Sequence, residues 1–281
     1  MQEMKIQNDA FRSNPDTLAS DLDGTLIPLP NVEQNRKDLA QLSKLRELHK
    51  FKLIFATGRS FDSVLDAIQH YTLPEPDWII CNVGTSIYEK SSDSFSAQHA
   101  YHDKLNEICD GVDHHKIEQS FKHLKKLNLQ SEENQSDFKI SYWCEESELQ
   151  ELVDQINEIE QQESLPYTCL GSVDPFSKRG LIDILPKGVD KAYALNWLAN
   201  LLKLKHDQIV YAGDSGNDLA ALIDGYASIL VGNATEHLRS EVNKFIKEND
   251  TGPCYFAEKH ATSGVLEGMK YFKLIPEETS V

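Results

Sequence analysis

The chain reads as an α/β protein in which a doubly wound, mostly parallel sheet is interrupted by an inserted α+β segment. Three observations predict this. Short apolar runs without alternation, Leu53-Ile54-Phe55-Ala56 above all, have the pattern of strands buried on both faces. Segments of helical period alternate with these runs on both sides of a long interruption. The runs also end in glycine-containing turns, Asp23-Gly24-Thr25, Thr57-Gly58, Gly84-Thr85 and Gly213-Asp214. Several loops then meet at the carboxyl ends of one sheet, where sheets of this class bind ligands.

The elements follow in order. Met1 to Asp16 is polar, with no apolar run of signal-peptide type. Thr17 to Ser20 forms a short strand, and Leu39, Leu42, Leu45 and Leu48 recur every three residues along a helix. Lys52 to Ala56 is the second strand. Ser60 is a plausible N-cap for a helix whose apolar face is Phe61, Val64, Leu65 and Ile68. Trp78 to Val83 is the third strand. From about Ser91 the texture turns polar. Ile117, Phe121 and Leu124 mark one helix face; Phe138 to Cys144 reads as a strand; Leu149, Leu152, Val153, Ile156 and Ile159 mark a second helix. Tyr167 to Leu170 and Leu181 to Leu185 read as strands around a loop containing Gly, Pro and Lys. The first pattern then resumes, with a helix after Lys191, strands at Gln208 to Ala212 and Tyr226 to Val231, and a short strand at Cys254 to Ala257. A final helix carries Val265, Leu266, Met269 and Phe272. The expected organisation is a Rossmann-like core of residues 1–98 and 187–281 around an inserted unit of residues 99–186.

Composition narrows the function. With 28 basic and 45 acidic side chains the formal charge is −17, which opposes nucleic acid and anionic membrane surfaces as partners. Five scattered cysteines without a CxxC pair indicate neither a disulfide framework nor a thiolate zinc site. No stretch is long and apolar enough to span a bilayer, so a soluble cytoplasmic protein, a monomer in preference to an oligomer, is expected.

The chemistry centres on Asp21-Leu22-Asp23-Gly24-Thr25. Residues two apart on an extended chain share a side, so Asp21 and Asp23 form a carboxylate pair at a strand end. Taken alone, the same residues also suit an ordinary capping Asp and turn glycine. Asp214 and Asp218, four apart at a helix start, share one face, and with Asp21 they make an all-oxygen set suited to a hard cation such as Mg²⁺. A carboxylate can attack phosphorus, a second can shuttle a proton, and Lys191 and Thr57 can hold the transferring oxygens. No GxxxxGK[ST] run occurs, which disfavours a P-loop nucleotide hydrolase. His114 and His115 are adjacent and diverge, so surface positions suit them better than metal ligation. Lys139, Lys178 and Arg179 suit either an anionic sugar ligand or plain solvation, and Arg59 is expected to pair with a nearby carboxylate or carbonyl.

Asp21-Leu-Asp-Gly-Thr25, Thr57-Gly58, Lys191 and Gly213-Asp-Ser-Gly-Asn-Asp218 resemble, in order and spacing, the four motifs of the haloacid dehalogenase superfamily of phosphohydrolases. The insert resembles that superfamily's type IIB cap. Within it, Ala56-Thr-Gly-Arg-Ser60, Val83-Gly-Thr-Ser-Ile-Tyr88, Lys139-Ile-Ser-Tyr142, Asp183-Ile-Leu-Pro186 and Val231-Gly-Asn-Ala234 are similar to the sucrose-phosphate phosphatase family. The resemblance implies a Mg²⁺-dependent phosphatase of a sugar phosphate, with sucrose 6-phosphate the first substrate to expect. Mannosylfructose phosphate hydrolysis and a phosphomannomutase-like transfer are the alternatives. It implies Asp21 as nucleophile and Asp23 as general acid and base. Leu22, Asp23, Thr57, Gly58 and Lys191 would bind phosphate, and Asp21, the Asp23 carbonyl, Asp214 and Asp218 would surround the metal. Lys139, Ser141, Lys178 and Asn217 are candidate substrate contacts.

Overall fold

A computed structural model of the chain describes residues 15–276 apart from 113, 175, 176 and 250. Most of the polar N-terminal stretch and two positions of the Lys178 loop therefore lie outside the described residues. The larger of two sheets has eight strands in the order β12-β11-β10-β1-β2-β3-β4-β5. At its centre, β1 (Thr17–Ser20) pairs in parallel with β2 (Lys52–Ala56) on one side and β10 (Ile209–Gly213) on the other. Parallel pairing continues outward through β3 (Trp78–Cys81) and through β11 (Ala227–Leu230) to β12 (Cys254–Phe256).

The unalternated apolar runs are strands buried on both faces. Along β2, Leu53 and Phe55 join one core, and Ile54 and Ala56 the other. The first core receives α1 (Glu33–His49), α2 (Phe61–Tyr71) and α9 (Ala261–Tyr271), through Leu42, Val64 and Met269 among others. The second receives α6 (Lys191–Leu202), α7 (Leu219–Ile223) and α8 (Glu236–Asn249). Each fully buried aliphatic side chain contributes about 1.5–3 kcal/mol. In α1, Leu39, Leu42 and Leu45 are buried, but Leu48 is 66% exposed. A three-residue step falls short of the 3.6-residue turn, so nine residues at about 100° each carry Leu48 roughly half a turn from Leu39.

Two differences from the sequence reading have local causes. β3 stops at Cys81 because Asn82, Val83 and Gly84 all take positive φ, at 51°, 58° and 99°. Beyond them, an antiparallel hairpin of β4 (Ser86–Ser91) and β5 (Ser94–Ala97) extends the sheet through residues to which the sequence reading assigned no strand. Ile87 packs on one core and Tyr88 and Phe95 on the other, and the remaining hairpin residues are polar or small, which leaves a polar sequence.

The second sheet is antiparallel, in the order β6-β7-β9-β8, with β6 (Asn128–Leu129), β7 (Ile140–Cys144), β8 (Tyr167–Val173) and β9 (Gly180–Pro186). Helices α3 (His99–Cys109), α4 (His114–Phe121) and α5 (Leu149–Glu163) accompany it, and Ile117, Phe121, Leu152 and Ile156 are buried in its core. α4 ends at Phe121, so Leu124 lies past the helix and packs as part of a turn.

Candidate active site

Three neighbouring strands deliver the chemistry to one end of the larger sheet. Asp21 follows β1 in extended conformation, its amide bonded to the Ala212 carbonyl at 2.9 Å, and is 3% exposed. Gly24, with φ of 75°, turns the chain tightly against Asp214; a Cβ there would lie 2.3 Å from Asp214 Oδ2. Thr57, 1% exposed, follows the last residue of β2. Its carbonyl accepts from the Val83 amide at 3.1 Å, and the Arg59 carbonyl accepts from the Asn82 amide at 2.8 Å. The left-handed Asn82–Val83 step thus holds the Thr57–Arg59 loop from behind. Left-handed backbone is a costly conformation for a β-branched residue, so the surrounding structure must enforce it.

Lys191 is the first residue of α6, whose N-cap Asp190 accepts from the Tyr193 amide at 2.8 Å. Its position is constrained on the other side as well: a Cβ on Gly84 would lie 2.2 Å from the Asp190 carbonyl oxygen. Fully buried, Lys191 Nζ donates to Asp21 Oδ1 at 2.9 Å and to Asp218 Oδ1 at 2.7 Å. Asp218 is saturated with donors. Its Oδ1 also accepts from the Tyr211 hydroxyl at 2.6 Å, and its Oδ2 accepts from the Asp214 and Ser215 amides, both at 3.0 Å. Asp214 accepts from Thr25 Oγ1 at 3.0 Å and from Asn233 Nδ2 at 3.1 Å.

One oxygen from each of Asp21, Asp214 and Asp218 lies within 4.8 Å of the others, and all three residues are buried. Lys191 offsets only part of that charge. Burial pushes the Asp21 carboxyl up to about 7 against the pull of Lys191, with Asp218 and Asp23 adding to the rise. Burial, then Asp21 and Asp218, hold Asp214 well above the usual carboxylate range. For Lys191, burial works to lower the pKa, but Asp21 and Asp218 outweigh it and the ammonium is held above its ordinary value. A buried all-oxygen cage with excess negative charge fits a hard divalent cation.

Asp23 stands apart from this cage. Its two oxygens take Arg59 Nε at 2.6 Å and Nη2 at 2.7 Å in a bidentate pair, and Arg59 Nη1 also donates to Ser63 Oγ at 2.9 Å. Arg59 therefore has the carboxylate partner expected of it, and the hydrogen bond to Asp23 raises its pKa.

A cavity of about 260 Å³ opens above these residues. Its floor is Asp21, Asp23, Thr57, Gly58, Arg59, Ser215 and Asn217. Its roof, from the smaller sheet, includes Gln130, Lys139, Ser141, Trp143 and Asp183. Lys139 is 4% exposed, and its ammonium has no hydrogen-bonding partner among the described residues. Ser141 Oγ donates to Asp183 Oδ1 at 2.5 Å. Of the sequence-derived candidates, Leu22 has its side chain wholly in the core, so only its backbone faces the turn. Lys178 does not line the cavity: it sits exposed at the β8–β9 turn with φ of 58°, its amide bonded to the Asp174 carbonyl. Gln130, Trp143 and Asp183 were missed. For Asp183 a signal exists, a lone carboxylate inside the apolar strand Leu181–Leu185.

A family model described as sucrose-6F-phosphate phosphohydrolase matches residues 14–273. Mannosylfructose-phosphate phosphatase of Agrobacterium fabrum is 30% identical over 262 residues, covering 92% of this chain and 97% of that protein. The crystal structure of the sucrose-phosphatase of Synechocystis sp., solved with sucrose and phosphate, superposes with a TM-score of 0.78 at 24% identity, over 92% of this chain and 98% of that one. A haloacid dehalogenase subclass IIB sugar phosphatase aligns over 92% of this chain and 100% of its own, at 18% identity and a TM-score of 0.59. With the family model spanning nearly the whole described chain, this protein belongs to the sucrose-6F-phosphate phosphohydrolase family of the haloacid dehalogenase superfamily and is a phosphoric monoester hydrolase.

Proposed function

We propose that the protein hydrolyses a phosphorylated disaccharide, sucrose 6-phosphate first among candidates, through an aspartyl-phosphate on Asp21. The observation that carries this reading is the two-sided cavity. Its floor presents the Asp21 and Asp23 carboxylates, with the buried Lys191 bonded to Asp21, as phosphoryl transfer requires, and its roof presents polar groups suited to sugar hydroxyls. Residues 1–98 and 187–281 then act as the catalytic core and residues 99–186 as the cap that selects the sugar.

In this reading Asp21 Oδ attacks phosphorus and the P–O bond to the sugar breaks. Asp23 gives its proton to the departing alkoxide, then removes one from the water that cleaves the acyl phosphate. Thr57, the Gly58 backbone and Lys191 hold the phosphoryl oxygens, with the Leu22 and Asp23 backbone at the turn. Asp21, Asp214 and the Asp23 carbonyl, with Asp218 behind them, would hold Mg²⁺, which when bound offsets charge on the phosphoryl group and on the cage. Because Asp23 is paired with Arg59, it must leave that partner before it can donate a proton to the sugar oxygen. Lys139, Ser141 and Asn217 contact the substrate, and Lys139 supplies positive charge against the acidic surroundings.

The test is phosphate release from a panel of sugar phosphates, including sucrose 6-phosphate and mannosylfructose phosphate, with Mg²⁺ and with EDTA. Metal-dependent release from a disaccharide phosphate supports the reading. Silence on every sugar ester, or movement of phosphate between sugar positions without release, overturns it.

A further inference from the structure

The Asn233 side chain makes three hydrogen bonds to three separate segments of the fold. Its Nδ2 donates to Asp214 Oδ2 at 3.1 Å and to the Gly24 carbonyl at 2.8 Å, while its Oδ1 accepts from the Ala261 amide at 2.8 Å. The three segments are the helix-entry loop after β10, the turn that carries Asp21 and Asp23, and the start of α9. We propose that Asn233 is a positioning residue that sets the Asp214 carboxylate for a divalent cation; the proposal rests on the Mg²⁺-dependent reading above.

The geometry carries this in three steps. Thr25 Oγ1 donates to Asp214 Oδ1 and Asn233 Nδ2 to Oδ2, so each oxygen is held by one neutral donor. A carboxylate oxygen has about two acceptor directions, so each keeps one for a cation. Asp218, by contrast, gives both oxygens to several donors, which leaves Asp214 the freer ligand. Second, the donors are uncharged. They fix the carboxylate plane without competing for the charge that a cation would neutralise. Third, Asn233 is itself anchored. Gly232, next to it, donates its amide to the Lys259 carbonyl at 2.8 Å, and a Cβ on Gly232 would lie 2.5 Å from the Glu258 carbonyl oxygen. The start of α9 is in turn tied to the first loop, by Thr262 Oγ1 to the Leu26 carbonyl at 2.7 Å and by Asn35 Nδ2 to the His260 carbonyl at 3.0 Å and to Ser263 Oγ at 2.7 Å.

Groups that orient a metal ligand from behind change metal affinity by about 10–100-fold when removed. The experiment measures Mn²⁺ binding to the full chain by electron paramagnetic resonance, together with the Mg²⁺ concentration for half-maximal phosphate release. Asn233→Ala is expected to weaken both by about 10–100-fold, with the substrate KM at saturating Mg²⁺ within about threefold of the parent. Asn233→Ser, too short to bridge to Asp214, is expected to do the same and stands in if the alanine variant does not fold. Asn35→Ala, which loosens the same helix start without touching Asp214, is expected to lower thermal stability and leave Mn²⁺ affinity within about threefold. Unchanged Mn²⁺ affinity in the Asn233 variants, or an equal loss in Asn35→Ala, overturns the proposal. A parent protein that neither binds Mn²⁺ nor responds to Mg²⁺ overturns the underlying reading instead.

Discussion

Replacing Lys191 by Met keeps the length of the side chain and removes its charge. In the parent, Nζ is wholly buried and lies 2.9 Å from Asp21 Oδ1 and 2.7 Å from Asp218 Oδ1. Asp218 keeps its other donors, so the chief loss falls on Asp21, whose carboxylate takes a side-chain hydrogen bond from Lys191 and from no other described residue. Removing one partner from a buried ion pair costs about 3–5 kcal/mol. For a chain of this size each kcal/mol moves Tm by about 2–4 °C, so a fall of roughly 6–20 °C is expected in EDTA. A cation drawn to the unpaired carboxylates should restore more of that loss than it adds to the parent. The assay is thermal unfolding of both proteins with EDTA and with Mg²⁺, alongside phosphate release. A variant that melts within a degree or two of the parent in EDTA would refute the claim that Lys191 offsets the charge of the cage.

Three further outcomes follow from the same geometry. Asp21→Asn should abolish phosphate release on every sugar phosphate while leaving the circular dichroism spectrum and Tm near those of the parent; retained turnover would remove Asp21 from the nucleophile role. Lys139→Met should raise KM for a sugar phosphate about tenfold or more with a smaller effect on kcat, since Lys139 lines the roof of the cavity; an unchanged KM would place it outside the substrate site. Glu160, in α5, is 8% exposed and its Oε1 has no hydrogen-bond partner among the described residues; burial pushes its carboxyl from 4.5 up to about 7. The folded state then holds the proton more tightly than the unfolded chain, so this group's contribution to stability falls as pH rises from about 4.5 through 7. Glu160→Gln should raise Tm at pH 8 more than at pH 5, and equal shifts at both pH values would refute it.

Much of the core was legible because its signals are local. Two-faced strands have to be continuous apolar runs, and Asp21, Thr57 and Asp214 sit where those runs end and Lys191 where a helix starts, so order along the chain maps onto one end of the sheet. The β4–β5 hairpin and β6 were not legible, since short edge strands bury few side chains and their pattern dissolves into polar sequence. The bonds that tie Asn233 and Tyr211 to the site were illegible for another reason, although Asn233 lies in the family-like stretch Val231-Gly-Asn-Ala234. Their roles come from hydrogen bonds to residues brought near only by the fold, and an Asn after a strand reads equally well as a turn. Lys178 reads equally as a substrate contact or a solvated charge because charge in a loop carries no direction; in the structure it is exposed at the β8–β9 turn.

The central position of β1 bears on how the chain is made. All four of its residues are buried, yet one of its two edges is covered only by β10. Thr25 and Asp214, which meet in the finished site, are 189 positions apart. At about 5–20 residues per second, that stretch takes a ribosome roughly 10–40 s. During that interval the nascent chain offers an open, apolar strand edge able to pair with a neighbour, while residues 99–186 are themselves still being made for most of it. Newly made protein should therefore depend on chaperones or low temperature during synthesis far more than the finished enzyme does.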